Sequence, residues 1–120
     1  MSRAAMRKVF EIEDSEGRLV SLFHAQWKHI CDRHPEMRDA LDAIKFTISD
    51  PDIVVRSATQ ARESGAERRV NSRIGTHPRY RGHHVRVPIE YAPSGNWVVA
   101  SHVALLPPDG ELIYVRVPPR

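Results

Sequence analysis

Two histidines, His29 and His34, lie in a short segment that also carries Lys28 and Arg33. Imidazole gains or loses a proton near neutral pH, so a histidine pair can supply a general base and a general acid. Metal-independent RNA cleavage needs both. The base takes the proton of the ribose 2′-hydroxyl, and the acid protonates the departing 5′-oxygen. Cations stabilise the charge that gathers on the phosphoryl oxygens. The segment therefore has the residue types of a ribonuclease site.

The same segment also fits an ordinary surface helix. Trp27 and Ile30 are at helical spacing and predict a buried stripe. Lys28 and Asp32 then form an i, i+4 pair on a solvated face, worth about 0.3–0.5 kcal/mol. His34 precedes a proline, where its ring can cap exposed backbone amides instead of catalysing a reaction. Both interpretations remain open on the sequence alone.

A second basic cluster, GTHPRYRGHHVR, contains Arg79, Tyr80 and Arg81. Arginines beside a tyrosine can hold phosphate while a base stacks on the ring. The alternative is a charged hairpin or edge strand whose charges prevent pairing with other chains. His83 and His84 fit the alternative better, whereas Arg79 and Arg81 fit phosphate binding better.

The histidine spacing does not suit a metal site. His29 and His34 are five residues apart, rather than the four of the zinc-binding helix motif, and no HExxH sequence occurs. His83 and His84 would point to opposite faces of a strand. A glycine-rich phosphate loop and a nucleophile elbow are also missing from the sequence. We therefore expect no metal and no other cofactor.

The composition is that of one ordinary domain spanning residues 1–120. Hydrophobic residues make up 41% and charged residues 28%, enough for a single core. The net charge of +3 makes polyanions plausible partners. The single cysteine, Cys31, lies on the apolar stripe, which indicates a core residue and a reducing compartment. With no signal peptide and no membrane-length apolar run, we expect a soluble cytoplasmic protein.

Periodicity predicts an α+β domain: an N-terminal hairpin and two helices packed on an antiparallel β-sheet. Pro35 is expected in the first turn of the second helix, and Pro88 at an edge position or a bulge. Residues 57–82 are the least defined, with a strand near RRVNSRI or a mobile loop as alternatives. The remaining segments predicted as strands are 9–12, 19–23, 53–55, 84–91, 96–106 and 111–117.

Several short motifs resemble one nuclease family. They are Trp27, His29 and Ile30; Arg33, His34, Pro35 and Glu36; Pro51 and Asp52; and Tyr80 and Arg81. This pattern resembles phage and bacterial proteins of the barnase–EndoU–colicin–RelE-like (BECR) nuclease group. The resemblance implies helices against a four- or five-stranded antiparallel sheet, and a metal-independent ribonuclease in a toxin or mobile-element setting. By position it makes His29 and His34 acid–base candidates and Arg81 a phosphate ligand.

The sequence of this chain departs from the family pattern in one late strand. Relatives often carry Thr-Ala-Tyr there, whereas this chain has VVASHVA. Ser101 replaces the threonine and His102 the aromatic residue only with a shift of one place, which would exchange the faces of a strand. A family member without activity is therefore an alternative.

The leading hypothesis is a small metal-independent endoribonuclease acting on RNA through 2′-hydroxyl attack. Its catalytic candidates are His29, His34, Arg33, Arg81 and Ser101, and its substrate-binding candidates are Lys28, Arg79, Tyr80 and His102. The expected partners are RNA and an acidic antitoxin or immunity protein, with no membrane. The alternatives are a non-catalytic nucleic-acid-binding module and a protein-interaction module of the same fold.

If His29 is the general base, His29→Ala should lower the rate of RNA cleavage about 10²–10⁴-fold, the usual effect of losing acid–base assistance. Initial rates on labelled RNA measure this. A variant as active as the parent would remove His29 from the mechanism.

Overall fold

The computed structural model describes residues 6–57 and 65–117. Its strands are β1 (Lys8–Glu13), β2 (Leu19–Phe23), β3 (Ile53–Arg56), β4 (Glu67–Ile74), β5 (His84–Ala92), β6 (Gly95–Val98), β7 (His102–Ala104) and β8 (Glu111–Val115). Its helices are α1 (His24–Arg33) and α2 (Leu41–Ser49), with one 3-10 turn, Pro35–Met37, between them. The α+β class and both helices are confirmed.

The N-terminal hairpin is confirmed, and an aspartate builds its turn. The Asp14 carboxylate accepts hydrogen bonds from the backbone N–H groups of Glu16 and Arg18, both at 2.9 Å. Gly17 follows with a φ of 81°, a conformation that glycine adopts without strain. This turn sets β1 and β2 in antiparallel register.

The junction between the helices differs from the prediction. His34 leaves the helical conformation, with φ −132° and ψ 78°, because the residue before a proline is disfavoured in the α region. Pro35 then starts a single 3-10 turn, and α2 begins only at Leu41. The expectation that Pro35 opens the second helix is therefore wrong. Met37 at the end of the turn is fully buried and fixes the junction on the core.

The sheet is mixed, so the expectation of a purely antiparallel sheet is wrong at one pairing. The strand order is β1-β2-β6-β5-β4-β3-β8, and β7 pairs with β5. The pairing of β2 with β6 is parallel, with Ser21 opposite Trp97. β2 is joined by hairpin to β1 and continues directly into α1, so no hairpin dictates its direction relative to β6.

The predicted strand over residues 96–106 is interrupted between β6 and β7. Pro88, expected at an edge position or a bulge, lies in the central strand β5 opposite this gap. Its carbonyl accepts a hydrogen bond from the Val99 N–H at 3.0 Å. A proline has no N–H to offer a neighbouring strand, so the ladder cannot continue regularly past it. The Ser101 hydroxyl instead donates to the carbonyl of Arg86 at 2.8 Å.

Both helices pack on one face of the sheet, where the core lies. The alternation predicted for β5 is confirmed, since every second residue is buried. Those residues join side chains from α2 and the N-terminal hairpin in one cluster, which includes Val85, Val87, Ile89, Tyr91, Ile44, Ile48, Val20 and Leu22. Cys31, expected in the core, is only half-buried. In the part of the chain that the structure describes, no helix has the length and apolar character to cross a membrane.

The least defined segment of the sequence contains a strand. β4 covers the RRVNSRI stretch and pairs with β5 along its whole length and with β3 over residues 69–72. The strand alternative is therefore confirmed there. Residues 58–64 of the same segment lie outside the described residues.

The loop between β7 and β8 runs from one side of the sheet to the other and is fixed at two points. The guanidinium of Arg86 donates to the carbonyls of Leu106, at 2.6 Å, and Pro107, at 3.2 Å. At its far end, Gly110 has a φ of 146° and lies against β3. A Cβ at this position would be 2.4 Å from the backbone oxygen of Arg56. Only glycine fits there.

Gly110→Ala should therefore lower the free energy of unfolding by about 2 kcal/mol or more, through backbone strain and a steric clash. Urea unfolding measures the change. Gly82→Ala is the control, because an added Cβ there meets nothing within 4 Å and the effect should stay within about 0.5 kcal/mol. Equal losses in the two variants would contradict this account of the loop.

Candidate functional site

Two histidine rings meet where the helix junction borders the sheet. His34 caps the C-terminus of α1, and His102 is the first residue of β7. Their ring centroids are 5.3 Å apart, with 33° between the planes. The structure thus brings together two residues that the sequence analysis selected from segments far apart in the chain.

Arg86 adds a cation to this histidine pair. It lies directly opposite His102 in the antiparallel pairing of β5 with β7, so their side chains share a face of the sheet. Its guanidinium is held by carbonyl oxygens of the β7–β8 loop. Within residues 6–57 and 65–117, Arg86 forms no ion pair with a carboxylate. Its positive charge is therefore available to an anion beside His102.

The pKa of the His102 imidazole is lowered from its ordinary value of 6.5. Burial of the ring is the largest cause, because removal from water disfavours the protonated form. The neighbouring His34 and Arg86 lower the pKa further, and Glu36 opposes them. His102 is consequently suited to accept a proton at neutral pH.

His34 has a different electrostatic neighbour. The Glu36 carboxylate lies 3.8 Å from the Nδ1 atom of His34, and the two form an ion pair when that ring is protonated. The Glu36 carboxylate is thus within ion-pair distance of His34, whereas the Arg86 guanidinium lies beside His102. A histidine pair can supply both the proton donor and the proton acceptor of an acid–base site.

A third histidine, His77, holds the adjoining loop against the helix junction. It is fully buried, and its Nε2 atom lies 2.6 Å from the Glu36 carbonyl oxygen. Its Nδ1 atom accepts hydrogen bonds from the backbone N–H groups of Arg79, at 3.0 Å, and Tyr80, at 3.2 Å. This network assigns the proton to Nε2, which donates to Glu36. His77 is therefore a positioning residue, a role that the sequence did not indicate.

The loop held by His77 presents Arg79 and Tyr80 beside the junction. The Arg79 guanidinium donates to the Asp39 carboxylate at 3.0 Å and to the Glu36 carbonyl at 3.2 Å. The Tyr80 side chain remains 39% exposed. Arg79 and Tyr80, two of the four predicted substrate-binding residues, thus lie next to the segment that carries His34, although the Asp39 carboxylate already pairs with the Arg79 guanidinium.

The structure does not bring His29 to the histidine pair. Lys28, His29 and Arg33 are all exposed on α1. His29 lies more than one helical turn before His34, and among the described residues no ring contact joins it to either histidine of the pair. No hydrogen bond joins these three side chains to other described residues. Lys28 and Arg33 therefore add positive charge to the exposed surface of α1.

Ser101 and Arg81 are placed differently from each other. Ser101 is fully buried, and its hydroxyl is used to join β7 to β5 through the Arg86 carbonyl. That placement suits a structural link better than contact with a phosphate. Arg81 is exposed in the loop before β5, where its side chain has no partner among the described residues. It is accessible to a long polyanion.

Sequence reasoning did not assign Arg86 or Glu36 to the site. Arg86 alternates with buried valines in β5, which places it on the other sheet face, but only the pairing with β7 sets it beside His102. Glu36 was named only as part of the motif around His34. Among the described residues, no group of three or more His, Cys, Asp or Glu side chains could hold a metal ion.

Comparison with known proteins adds no relative: no family model, no curated protein and no solved structure matches the chain. The resemblance to BECR nucleases therefore stays a prediction.

The His102 pKa can be measured directly. Titration of the His102 ring by proton NMR should give a midpoint below 6.5, and His34→Ala should raise it, because a neighbouring cation and part of the covering surface are removed. His24→Ala, which changes an exposed histidine of α1, should leave the midpoint unchanged. A midpoint at or above 6.5 in the parent protein would contradict the assigned environment.

Proposed function

We propose that the chain is a metal-independent endoribonuclease in which His34 and His102 form the acid–base pair. The observation that carries the proposal is the 5.3 Å approach of the two rings beside Arg86. Each ring has a neighbour that suits one half of the reaction. This assignment replaces His29 with His102 as the base favoured by the geometry.

In the proposed reaction, neutral His102 accepts the proton of the ribose 2′-hydroxyl. The 2′-oxygen then forms a bond to the adjacent phosphorus, and the bond from phosphorus to the 5′-oxygen breaks. Protonated His34, held near the Glu36 carboxylate, gives its proton to the departing 5′-oxygen. The products are a 2′,3′-cyclic phosphate and a free 5′-hydroxyl. The two histidines end in exchanged protonation states, and solvent restores them.

Arg86 supplies the electrostatic part of the mechanism. A guanidinium beside the base stabilises the two negative charges that develop on the phosphoryl oxygens in the transition state. Its contacts to loop carbonyls orient it without neutralising it. The exposed cations Lys28, Arg33 and Arg81 contribute attraction to the RNA backbone.

The proposal extends to the family and the setting of the protein. The motifs around His34 and the Pro51–Asp52 step support membership of the BECR group. A net charge of +3 suits RNA and also an acidic antitoxin or immunity protein that would cover the site. A cytoplasmic location agrees with the single cysteine, Cys31.

The test is cleavage of a labelled RNA by purified protein in EDTA. The parent should produce 2′,3′-cyclic phosphate ends, and a 2′-deoxy substitution in the RNA should abolish cleavage at that position. His102→Ala and His34→Ala should each lower the rate about 10²–10⁴-fold. The exposed-histidine variant His24→Ala is the matched control and should retain the parental rate.

The outcomes separate the hypotheses. RNA that is bound with strong salt dependence but never cleaved would overturn the nuclease proposal in favour of a binding module. Full activity in His102→Ala, together with a large loss in His29→Ala, would restore the assignment made from the sequence. Folding of each variant is checked by thermal unfolding.

A further inference from the structure

We propose that the site takes single-stranded RNA and stacks one unpaired base, next to the cleaved phosphate, on the ring of Tyr80. This inference rests on the proposed function and names its substrate class. It follows from the position of the Tyr80 ring. The ring is exposed, is held by neighbouring side chains, and is linked through His77 to the segment that carries His34.

Tyr80 is held in place although its side chain is exposed. Its backbone N–H donates to the buried His77 ring at 3.2 Å, and its carbonyl accepts from the His83 N–H at 3.1 Å. The phenol ring contacts two imidazoles edge-on, with centroid distances of 5.0 Å to His77 and 5.3 Å to His83. An ordered aromatic surface loses little entropy when a ligand stacks on it, because its geometry is already set.

Short contacts connect this ring to the histidine pair. The His77 ring that touches Tyr80 is 2.6 Å from the Glu36 carbonyl, and the Glu36 carboxylate is 3.8 Å from His34. Arg79, the residue before Tyr80, also donates to the Glu36 carbonyl. The ring is therefore linked through His77 and Glu36 to the segment that carries His34. A base stacked there would belong to the same bound strand as the reacting phosphate.

The chemistry of the surface favours a nucleobase. The Arg79 guanidinium lies over the Tyr80 ring, 5.7 Å from its centroid, so an aromatic ring and a cation are presented together. Proteins that bind single strands combine these two elements, since bases stack on the ring while the cation attracts the backbone. A base inside a duplex has both faces covered by its neighbours and cannot reach such a ring. Duplex RNA is therefore excluded as a good substrate.

The test measures binding in the absence of cleavage. The probes are a fully 2′-O-methylated single-stranded oligonucleotide, which cannot react through its 2′-oxygen, and the same strand annealed to its complement. Tyr80→Ala should weaken single-strand binding about 5- to 100-fold, the range of one base–aromatic stack. Tyr80→Phe keeps the ring and should bind like the parent. Phe46→Ala removes another exposed aromatic side chain, on α2, and is the matched control.

Each outcome decides the inference. Weaker single-strand binding in Tyr80→Ala alone, with duplex binding weak and equal in all variants, supports it. Equal affinities of the parent and Tyr80→Ala, or a parent that prefers the duplex, overturn it. Absence of cleavage of unmodified RNA would overturn the proposed reaction but not the stacking surface, so the two failures are distinguishable. Thermal unfolding of Tyr80→Ala and Tyr80→Phe confirms that both variants are folded.

Discussion

The hydrogen bond between the buried His77 ring and the Glu36 carbonyl joins the two halves of the candidate site. The loop before β5 and the 3-10 turn after α1 are far apart in sequence, and this bond holds them together out of contact with water. A buried polar group left without its partner is destabilising, so the fold strongly favours the paired arrangement. The remaining lone pair of the same ring fixes two loop amides. One imidazole thus joins the loop that carries Arg79 and Tyr80 to the turn that follows His34.

The other side of the site depends on an irregularity in the sheet. A proline in a central strand normally weakens the ladder, yet Pro88 lies where β5 changes its neighbour from β6 to β7. The segment that bridges the change ends at Ser101, whose hydroxyl is bonded to β5, and His102 follows at once. The position of the proposed base is therefore set by backbone pairing and by a buried hydroxyl.

The sequence predicted those parts of the fold that local patterns control. The hairpin around Asp14, the helix from His24 and the alternation in β5 follow from turn chemistry and periodicity, and all three are present. The parallel pairing of β2 with β6 has no local signal, because it joins strands separated by most of the chain. The break opposite Pro88 depends on a pairing partner, which a single strand pattern does not reveal.

The candidate site shows the same difference between what local sequence predicts and what strand pairing determines. His34 was selected from its motif, and the structure places it beside His102, which the sequence analysis assigned only to substrate binding. Arg86 was passed over because nothing in its own neighbourhood distinguishes it from the other arginines. Local chemistry identified candidate residue types, whereas strand register determined which of them meet.

The three residues between β6 and β7 constrain how the sequence before His102 can vary. Side chains alternate between the faces of a strand, so inserting or deleting a single residue before His102 would turn its ring to the opposite face of β7, away from Arg86. The residues at positions 99 and 100 can therefore vary more freely than the length of the bridge, whereas Ser101 is held by the hydrogen bond of its buried hydroxyl. Chains descended from a common ancestor with this one would be expected to tolerate substitutions at those two positions and to reject gaps.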